Sequence, residues 1–123
     1  MSKIKTEDKK FYDPNIDRKN KIYNDAFKIT KEGAPIPSII EISNSGVCNR
    51  ECSFCPRSDP GYKHVNEFFS NKLHDKLCDD LASYSFSGIF AYCGFNEPLL
   101  KKDINRDISY ARKKLPNSKI EIV

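Results

Sequence analysis

The stretch SIIEISNSGVCNRECSFC, residues 38–55, joins a short apolar segment to a dense group of cysteines. Its beginning is rich in isoleucine and is followed by turn-forming residues, a pattern that predicts a strand over residues 38–43. Cys48, Cys52 and Cys55 then fall within eight residues. The sequence therefore places three thiols in a loop directly after a predicted strand.

A leucine repeat predicts a helix after the cysteines. In residues 70–84, Leu73, Leu77 and Leu81 recur every four residues, which is the spacing of one apolar stripe on a helix. Ser70 precedes the repeat and suits the N-cap, because its hydroxyl can accept a hydrogen bond from the first turn. The leucine stripe is the expected buried face, and His74 is expected on the polar face.

Strands and helices alternate along the rest of the chain. A mostly apolar segment predicts a strand buried on both faces, a helix with Ile104, Ile108 and Ala111 on one face follows, and a last strand closes the pattern. These segments are, in order, residues 88–93, 103–114 and 119–123. The alternation predicts right-handed βαβ units and a parallel sheet, whose functional loops leave the carboxyl ends of the strands. The cysteines and GFNEP, residues 94–98, are therefore expected at the same edge.

Length and composition limit the class of protein. With 123 residues, 38% hydrophobic, 31% charged and a net charge of +4, the chain fits one polar globular domain. Its apolar stretches are too short to span a bilayer and no secretory signal opens it, so a cytoplasmic protein without membrane contact is expected. The basic charge is diffuse, so nucleic-acid binding is unsupported. Five cysteines in a reducing compartment indicate metal binding or chemistry rather than disulfides.

The beginning of the chain differs in character from the rest. Residues 1–36 are predicted to be a polar arm rich in lysine, aspartate and asparagine, with one short helix near residues 22–31. GAPIP, residues 33–37, ends any helix there because proline lacks a backbone donor. Residues 37–123 are predicted to form the folded domain.

The count of three cysteines bears on the metal that they hold. A structural zinc site needs four ligands in a tetrahedron, and Cys93 or His64 would be the fourth, at an unfamiliar spacing. A cubane iron–sulfur cluster has four irons, so three thiolates leave one iron open for another ligand. Two interpretations stay open at this point: a zinc-stabilised binding module, and a cluster with an open catalytic position.

The spacing C-x3-C-x2-C in CNRECSFC, with Phe54 just before the last cysteine, resembles the signature of the radical S-adenosylmethionine (radical SAM) enzymes. The resemblance implies that Cys48, Cys52 and Cys55 hold a 4Fe–4S cluster and that Phe54 lies near the adenine of S-adenosylmethionine. In that family the amino and carboxylate groups of the nucleotide bind the open iron. One electron from the cluster then cleaves the sulfonium into methionine and a 5′-deoxyadenosyl radical, which abstracts hydrogen from the substrate.

A second segment supports the resemblance. CGFNEPLL, residues 93–100, is similar to the family's glycine-rich turn, which ends in Glu-Pro and binds the amino group of the cofactor. The resemblance makes Gly94, Asn96 and Glu97 cofactor-binding residues and assigns no catalytic residue beyond the cluster ligands. Asn96 stands where the family usually has a second glycine. Asparagine tolerates left-handed backbone angles, so the turn can persist.

The resemblance also implies a fold and partners. The family's domain is usually an open barrel of six βα units, and this chain supplies about three strands and two helices. The expected fold is an α/β partial parallel (βα) barrel, truncated, with an unpaired strand at its edge. The implied partners are a one-electron reductant of flavodoxin or ferredoxin type and an unknown substrate, either a peptide or a small metabolite. An inactive remnant that still binds the cluster is a further alternative.

Other polar and thiol side chains are expected to be structural or solvated. Cys78 is expected to be half-buried beside the leucine stripe, and Cys93 to be a small buried residue at the end of its strand. His64 is expected in a solvated loop, and Lys101 with its neighbour Lys102 on the surface. Glu41 either points toward substrate or lies in water at the end of the sheet.

Overall fold

A computed structural model describes residues 14–26 and 28–123, and in it strands and helices alternate from Ile39 onward. In chain order the described elements are helix α1 (Pro14–Ala26), strands β1 (Lys28–Ile29), β2 (Pro35–Ile36) and β3 (Ile39–Ile42), helix α2 (Asn71–Ser83), strand β4 (Ile89–Tyr92), helix α3 (Ile104–Lys114) and strand β5 (Lys119–Ile122). Short 3₁₀ turns at Pro56–Ser58 and Pro98–Leu100 lie in the connections. The alternation predicted from the sequence is confirmed.

The last three strands form one parallel sheet with β4 in the centre. Ile40 pairs with Phe90, and Phe90 pairs with Ile120, which fixes the register across the sheet. Every residue of β4 is buried, as expected for a strand covered on both faces. Parallel pairing brings the carboxyl ends of β3 and β4 to the same edge, so the loops that follow them start side by side. That the sheet is part of a larger barrel stays a prediction.

The hydrophobic core lies between β4 and the two helices α2 and α3. Phe90 and Tyr92 contribute the largest buried rings from the sheet, and Leu115 closes the end of α3. The remaining members of the cluster are Ile36, Cys78, Leu81, Phe86, Ile104 and Ala111. Among the described residues, no helix has the length and apolar character needed to cross a bilayer.

Helix α2 buries a face that shares only Leu77 and Leu81 with the predicted leucine stripe. Leu81 is buried, but Leu73 is 54% exposed, and the buried positions of the helix are His74, Cys78 and Leu81. The prediction of His74 on the polar face is wrong because its Nε2 lies 2.8 Å from the hydroxyl of Tyr92, which needs a partner inside the core. Cys78 is fully buried rather than half-buried. The predicted N-cap is confirmed, since the Ser70 hydroxyl accepts from a backbone N–H in the first turn.

Helix α3 carries a buried charge that the hydropathy pattern does not indicate. Ile104 and Ala111 are buried as predicted, and Asp107 is buried on the same face. The prediction of Lys101 on the surface is wrong: its side chain is 4% exposed and forms an ion pair with Asp107. Lys101 Nζ also donates to the side-chain oxygen of Asn71 over 2.8 Å. A buried cation is tolerated here because these oxygens replace its water.

The N-terminal part folds differently from the predicted arm. Its described helix is Pro14–Ala26, which overlaps the helix predicted near residues 22–31 only over residues 22–26, so the predicted bounds are wrong. Proline is favourable in the first turn of a helix because its missing N–H would have no partner there. Residues 28–36 form the antiparallel pair β1–β2 instead. Ile36, at the end of the predicted arm, belongs to the core cluster. Residues 1–13 of the arm and Phe27 lie outside the described residues, and the boundary at residue 36 stays a prediction.

Candidate functional site

Two loops meet at the carboxyl edge of the sheet: the cysteine loop, residues 43–58, and the Glu97 turn, residues 93–100. The backbone N–H of Glu97 donates to the carbonyl of Val47 over 2.9 Å, which joins the two loops directly. Gly94 adopts a φ of +118°, a conformation that side chains rarely allow, and it lets the chain turn sharply as it leaves β4. The parallel alternation predicted this meeting of the two loops.

A buried pair of asparagines, one in each loop, holds the two loops together. The Asn96 side-chain nitrogen donates to the Asn44 side-chain oxygen over 2.8 Å, and Asn44 donates in turn to the carbonyl of Pro98 over 3.1 Å. With the Asn96 amide reversed, its nitrogen donates to the carbonyl of Cys93 over 3.0 Å instead. Either way both amides find partners where an unsatisfied polar group would be costly.

All seven predicted site residues line a single cavity of about 330 Å³ at this edge. One wall is formed by Cys48, Cys52 and Cys55 with Phe54, and the opposite wall by Gly94, Phe95, Asn96 and Glu97. The Phe54 ring is 88% exposed, which leaves its face free for a planar partner. The structure therefore brings together the two sets of residues that the sequence motifs singled out, while their roles stay predictions.

The carboxylate of Glu97 is held from two sides. One oxygen accepts from Arg50 Nε over 2.8 Å, and the other accepts from the backbone N–H of Leu99 over 3.3 Å. The side chain of Glu97 is only 12% exposed, whereas that of Arg50 is 69% exposed. The nearly buried carboxylate of Glu97 and the mostly exposed guanidinium of Arg50 therefore both line the cavity. A hydrogen-bond donor that enters the cavity can compete with Arg50 for the carboxylate of Glu97.

The cysteine loop offers three thiols at one cavity, a donor set that suits a soft metal. All three cysteines are free and partly exposed at the cavity. Among the described residues, no group of three or more His, Cys, Asp or Glu side chains is gathered so as to hold one metal ion. A structural zinc site takes four ligands, and the three cysteines supply one fewer. A cubane is larger and takes its three thiolates at separate corners.

Three other candidates lie outside the cavity wall. Cys93 is partly buried just after β4, and burial raises the pKa of its thiol, with a further contribution from the Glu41 carboxylate. Glu41 itself is exposed to solvent. His64 is exposed in the loop after the cysteines, as expected, and contacts Arg57.

Sequence reasoning assigned no role to three residues that organise this site. Asn44 is the second residue after β3, Arg50 lies between the first two cysteines, and Arg57 follows the third after a proline. A buried polar residue at the end of a parallel strand and charged residues inside a metal-binding loop are the signals that could have singled them out.

Comparisons with known proteins point the same way as the motifs. No protein-family model matches the chain. The chain is 29% identical over 82 residues to the S-adenosyl-L-methionine-dependent 2-deoxy-scyllo-inosamine dehydrogenase of Niallia circulans, a match that covers 67% of this chain and 32% of that enzyme. The structure of this chain is similar to the crystal structure of BtrN in complex with AdoMet and 2-DOIA, with a TM-score of 0.65 and 26% identity. The match covers 71% of this chain and 35% of the BtrN chain.

A second crystal structure, of selenomethionine BtrN in an open conformation, matches with a TM-score of 0.62 and 28% identity over 71% of this chain and 38% of that one. The chain thus spans about a third of the length of the proteins that it matches. These similarities support the α/β fold with its parallel sheet and the resemblance to the radical SAM enzymes.

Proposed function

We propose that the chain binds a 4Fe–4S cluster and S-adenosylmethionine and acts as a radical SAM enzyme or as part of one. The observation that carries this proposal is the single cavity lined by the three cysteines on one side and by the Glu97 turn on the other. Similarity to an S-adenosylmethionine-dependent dehydrogenase and to a structure that contains AdoMet supports it. The sulfonium nucleotide is proposed to lie between the two walls.

The cysteine loop supplies the metal ligands. The thiolates of Cys48, Cys52 and Cys55 each hold one iron, which leaves the fourth iron without a protein ligand. When bound, the cluster supplies the electron that cleaves the sulfonium into methionine and a 5′-deoxyadenosyl radical for hydrogen abstraction. Phe54 offers its exposed ring to the adenine, because aromatic rings stack on bases with little sequence preference.

The Glu97 turn receives the amino group of the nucleotide. Glu97 presents a fixed carboxylate, and an amino group that reaches it donates a hydrogen bond to it in place of Arg50. Because the Arg50 side chain is mostly exposed, it can return to water when the amino group takes its place. Arg50 is then free to face the carboxylate of the same nucleotide.

Substrate and partners follow from the resemblance alone. The substrate stays unassigned between a peptide and a small metabolite, because about 29% identity over a third of a relative does not carry its substrate across. A reductant of flavodoxin or ferredoxin type is the proposed electron donor. A cytoplasmic setting, which would keep the five thiols reduced, also stays a prediction.

Anaerobic reconstitution with iron and sulfide tests the proposal. We expect about four iron and four sulfide per chain, and an electron paramagnetic resonance spectrum of the reduced cluster that changes when S-adenosylmethionine is added. Dithionite with S-adenosylmethionine should then yield 5′-deoxyadenosine. Cluster binding without that product would favour the inactive remnant, and one tightly held zinc without a cluster would favour the zinc-stabilised module.

A pair of cysteine variants tests the open iron. Cys52→Ser should lose most of the iron, whereas Cys93→Ala should retain both the cluster and the spectral response to S-adenosylmethionine, since Cys93 does not line the cavity wall. If Cys93→Ala lost the cluster, all four irons would have protein ligands. The enzymatic interpretation would then fail.

A further inference from the structure

We propose that Arg57 is a positioning residue that sets the separation between the cysteine loop and the Glu97 turn. Arg57 lies in the 3₁₀ turn Pro56–Ser58, immediately after the last cysteine and its proline. The proposal rests on the proposed function, because this separation matters most if one nucleotide contacts both walls of the cavity.

One guanidinium contacts three separate segments. Arg57 Nη1 donates to the carbonyl of Gly46 over 2.9 Å, before the cysteines, and to the carbonyl of Phe95 over 3.1 Å, in the Glu97 turn. Its Nη2 lies 3.0 Å from Nδ1 of His64, in the segment that returns toward α2. The guanidinium also packs over the ring of Tyr62, with its central carbon 5.2 Å from the ring centre. Arg57 thus joins the ends of both cavity walls to the loop behind them.

The chemistry of these contacts requires arginine. A guanidinium only donates, so Nδ1 of His64 accepts and the ring proton of that histidine sits on Nε2. The planar fork reaches two carbonyls and a ring nitrogen at fixed angles, whereas a lysine ammonium is a single point at the end of a flexible stem. Lysine therefore keeps the charge but loses the geometry.

The backbone bond between the two loops reports on this role without any metal. Glu97 N–H donates to the Val47 carbonyl beside the contacts of Arg57. In the metal-free chain, Arg57→Lys should speed hydrogen exchange at the Glu97 amide about tenfold. The Ile89 amide, which donates to the Ser38 carbonyl at the opposite edge of the sheet, should exchange as in the wild type.

Arg112 supplies a matched control. It donates to the carbonyls of Leu115, Pro116 and Ser118 over 2.8–3.5 Å at the far edge of the sheet. Arg112→Lys removes a comparable set of contacts and should leave the Glu97 amide and nucleotide binding unchanged.

With the cluster reconstituted, Arg57→Lys should keep the wild-type iron content and bind S-adenosylmethionine about tenfold more weakly, a change of about 1.4 kcal/mol. Unchanged Glu97 exchange in this variant, or an equal change in Arg112→Lys, would overturn the proposal. If Arg57→Lys does not fold, His64→Ala replaces it, because this variant removes one contact of the guanidinium. It should speed hydrogen exchange at the Glu97 amide about twofold. Unchanged exchange at Glu97 in His64→Ala would also overturn the proposal. A wild-type chain that binds no cluster refutes the proposed function instead, and the exchange result still decides the role of Arg57.

Discussion

Removing the cation of the buried Lys101–Asp107 ion pair is expected to destabilise the fold far more than breaking an exposed ion pair. Lys101 is 4% exposed, the Asp107 side chain is fully buried, and the two are in direct hydrogen-bonding contact. Lys101→Met keeps most of the side-chain volume but leaves a buried carboxylate without its main partner. The backbone N–H of Lys101 also closes the Pro98–Leu100 turn, so the ion pair lies next to the candidate site.

The expected loss follows from what remains around the carboxylate. Removing one partner of a buried ion pair costs about 3–5 kcal/mol. Arg106 Nη1 stays 3.2 Å from the second oxygen of Asp107, so we expect the lower end of that range. Small domains are stable by about 5–15 kcal/mol, so a loss of about 3 kcal/mol is a large share of the total. With a denaturant slope of about 1.5 kcal/mol per M urea, the unfolding midpoint falls by about 2 M.

Urea unfolding followed by circular dichroism measures this loss. The matched control is Lys76→Met, which breaks the Lys76–Asp80 pair, whose side chains are 69% and 56% exposed, and should cost less than about 1 kcal/mol. The double variant Lys101→Met, Asp107→Leu removes both charges and should recover part of the loss. Equal midpoints for Lys101→Met and Lys76→Met, at equal slopes, would refute the reasoning.

Three further predictions concern the sheet and the core. A Cβ at Gly88 would lie 2.0 Å from the Ser38 carbonyl, so Gly88→Ala should lower the urea midpoint of unfolding. The control, Gly61→Ala, meets only the flexible Asp59 side chain and should unfold near the wild-type midpoint. Equal midpoints for the two variants would count against the close approach of Gly88 to Ser38. Burial raises the pKa of Cys78 to about 12 from an ordinary value of 9.0, so mass spectrometry after iodoacetamide treatment of the folded chain should find this thiol unmodified. Because the thiol ionises at lower pH in the unfolded chain, the contribution of Cys78 to the free energy of unfolding should be fully present below about pH 9 and decrease toward pH 12. Cys78→Ala should make this decrease in stability shallower. An identical decrease in the variant would contradict the attribution to Cys78.

The elements that sequence reasoning predicted well are those with a local signal. The strands at Ile39–Ile42 and Ile89–Tyr92 are short apolar runs bounded by turn residues, and the rule for parallel sheets then places the following loops at one edge. The Ser70 cap is equally local, because it depends on one hydroxyl and one turn of helix. The juxtaposition of the two motifs could therefore be derived before any coordinates.

The parts that sequence reasoning missed depend on partners distant in the chain. His74 and Asp107 are polar, so a hydropathy pattern assigns them to water. Only the packing of α2 against α3 and β4 shows that His74 is hydrogen-bonded to Tyr92 and that Asp107 is paired with Lys101 in the interior. The same applies to Lys101, whose partners are Asn71 on α2 and Asp107 on α3. For the N-terminal helix, scattered apolar residues gave no period from which its start at Pro14 could be placed.

Asn96 shows how the site accommodates a residue that departs from the motif. A second glycine would be required there only if that position needed a left-handed backbone, and among the described non-glycine residues only Ser85 has a positive φ. The left-handed angle of the turn is supplied by Gly94 alone. The side chain at position 96 therefore has a different use: it fills the space between the loops and donates to Asn44, which itself supports the Pro98 carbonyl. Because the two side-chain amides are hydrogen-bonded to each other, substitution of both asparagines should be tolerated better than substitution of one. A glycine at position 96 would leave the buried amide of Asn44 without one of its hydrogen-bond partners.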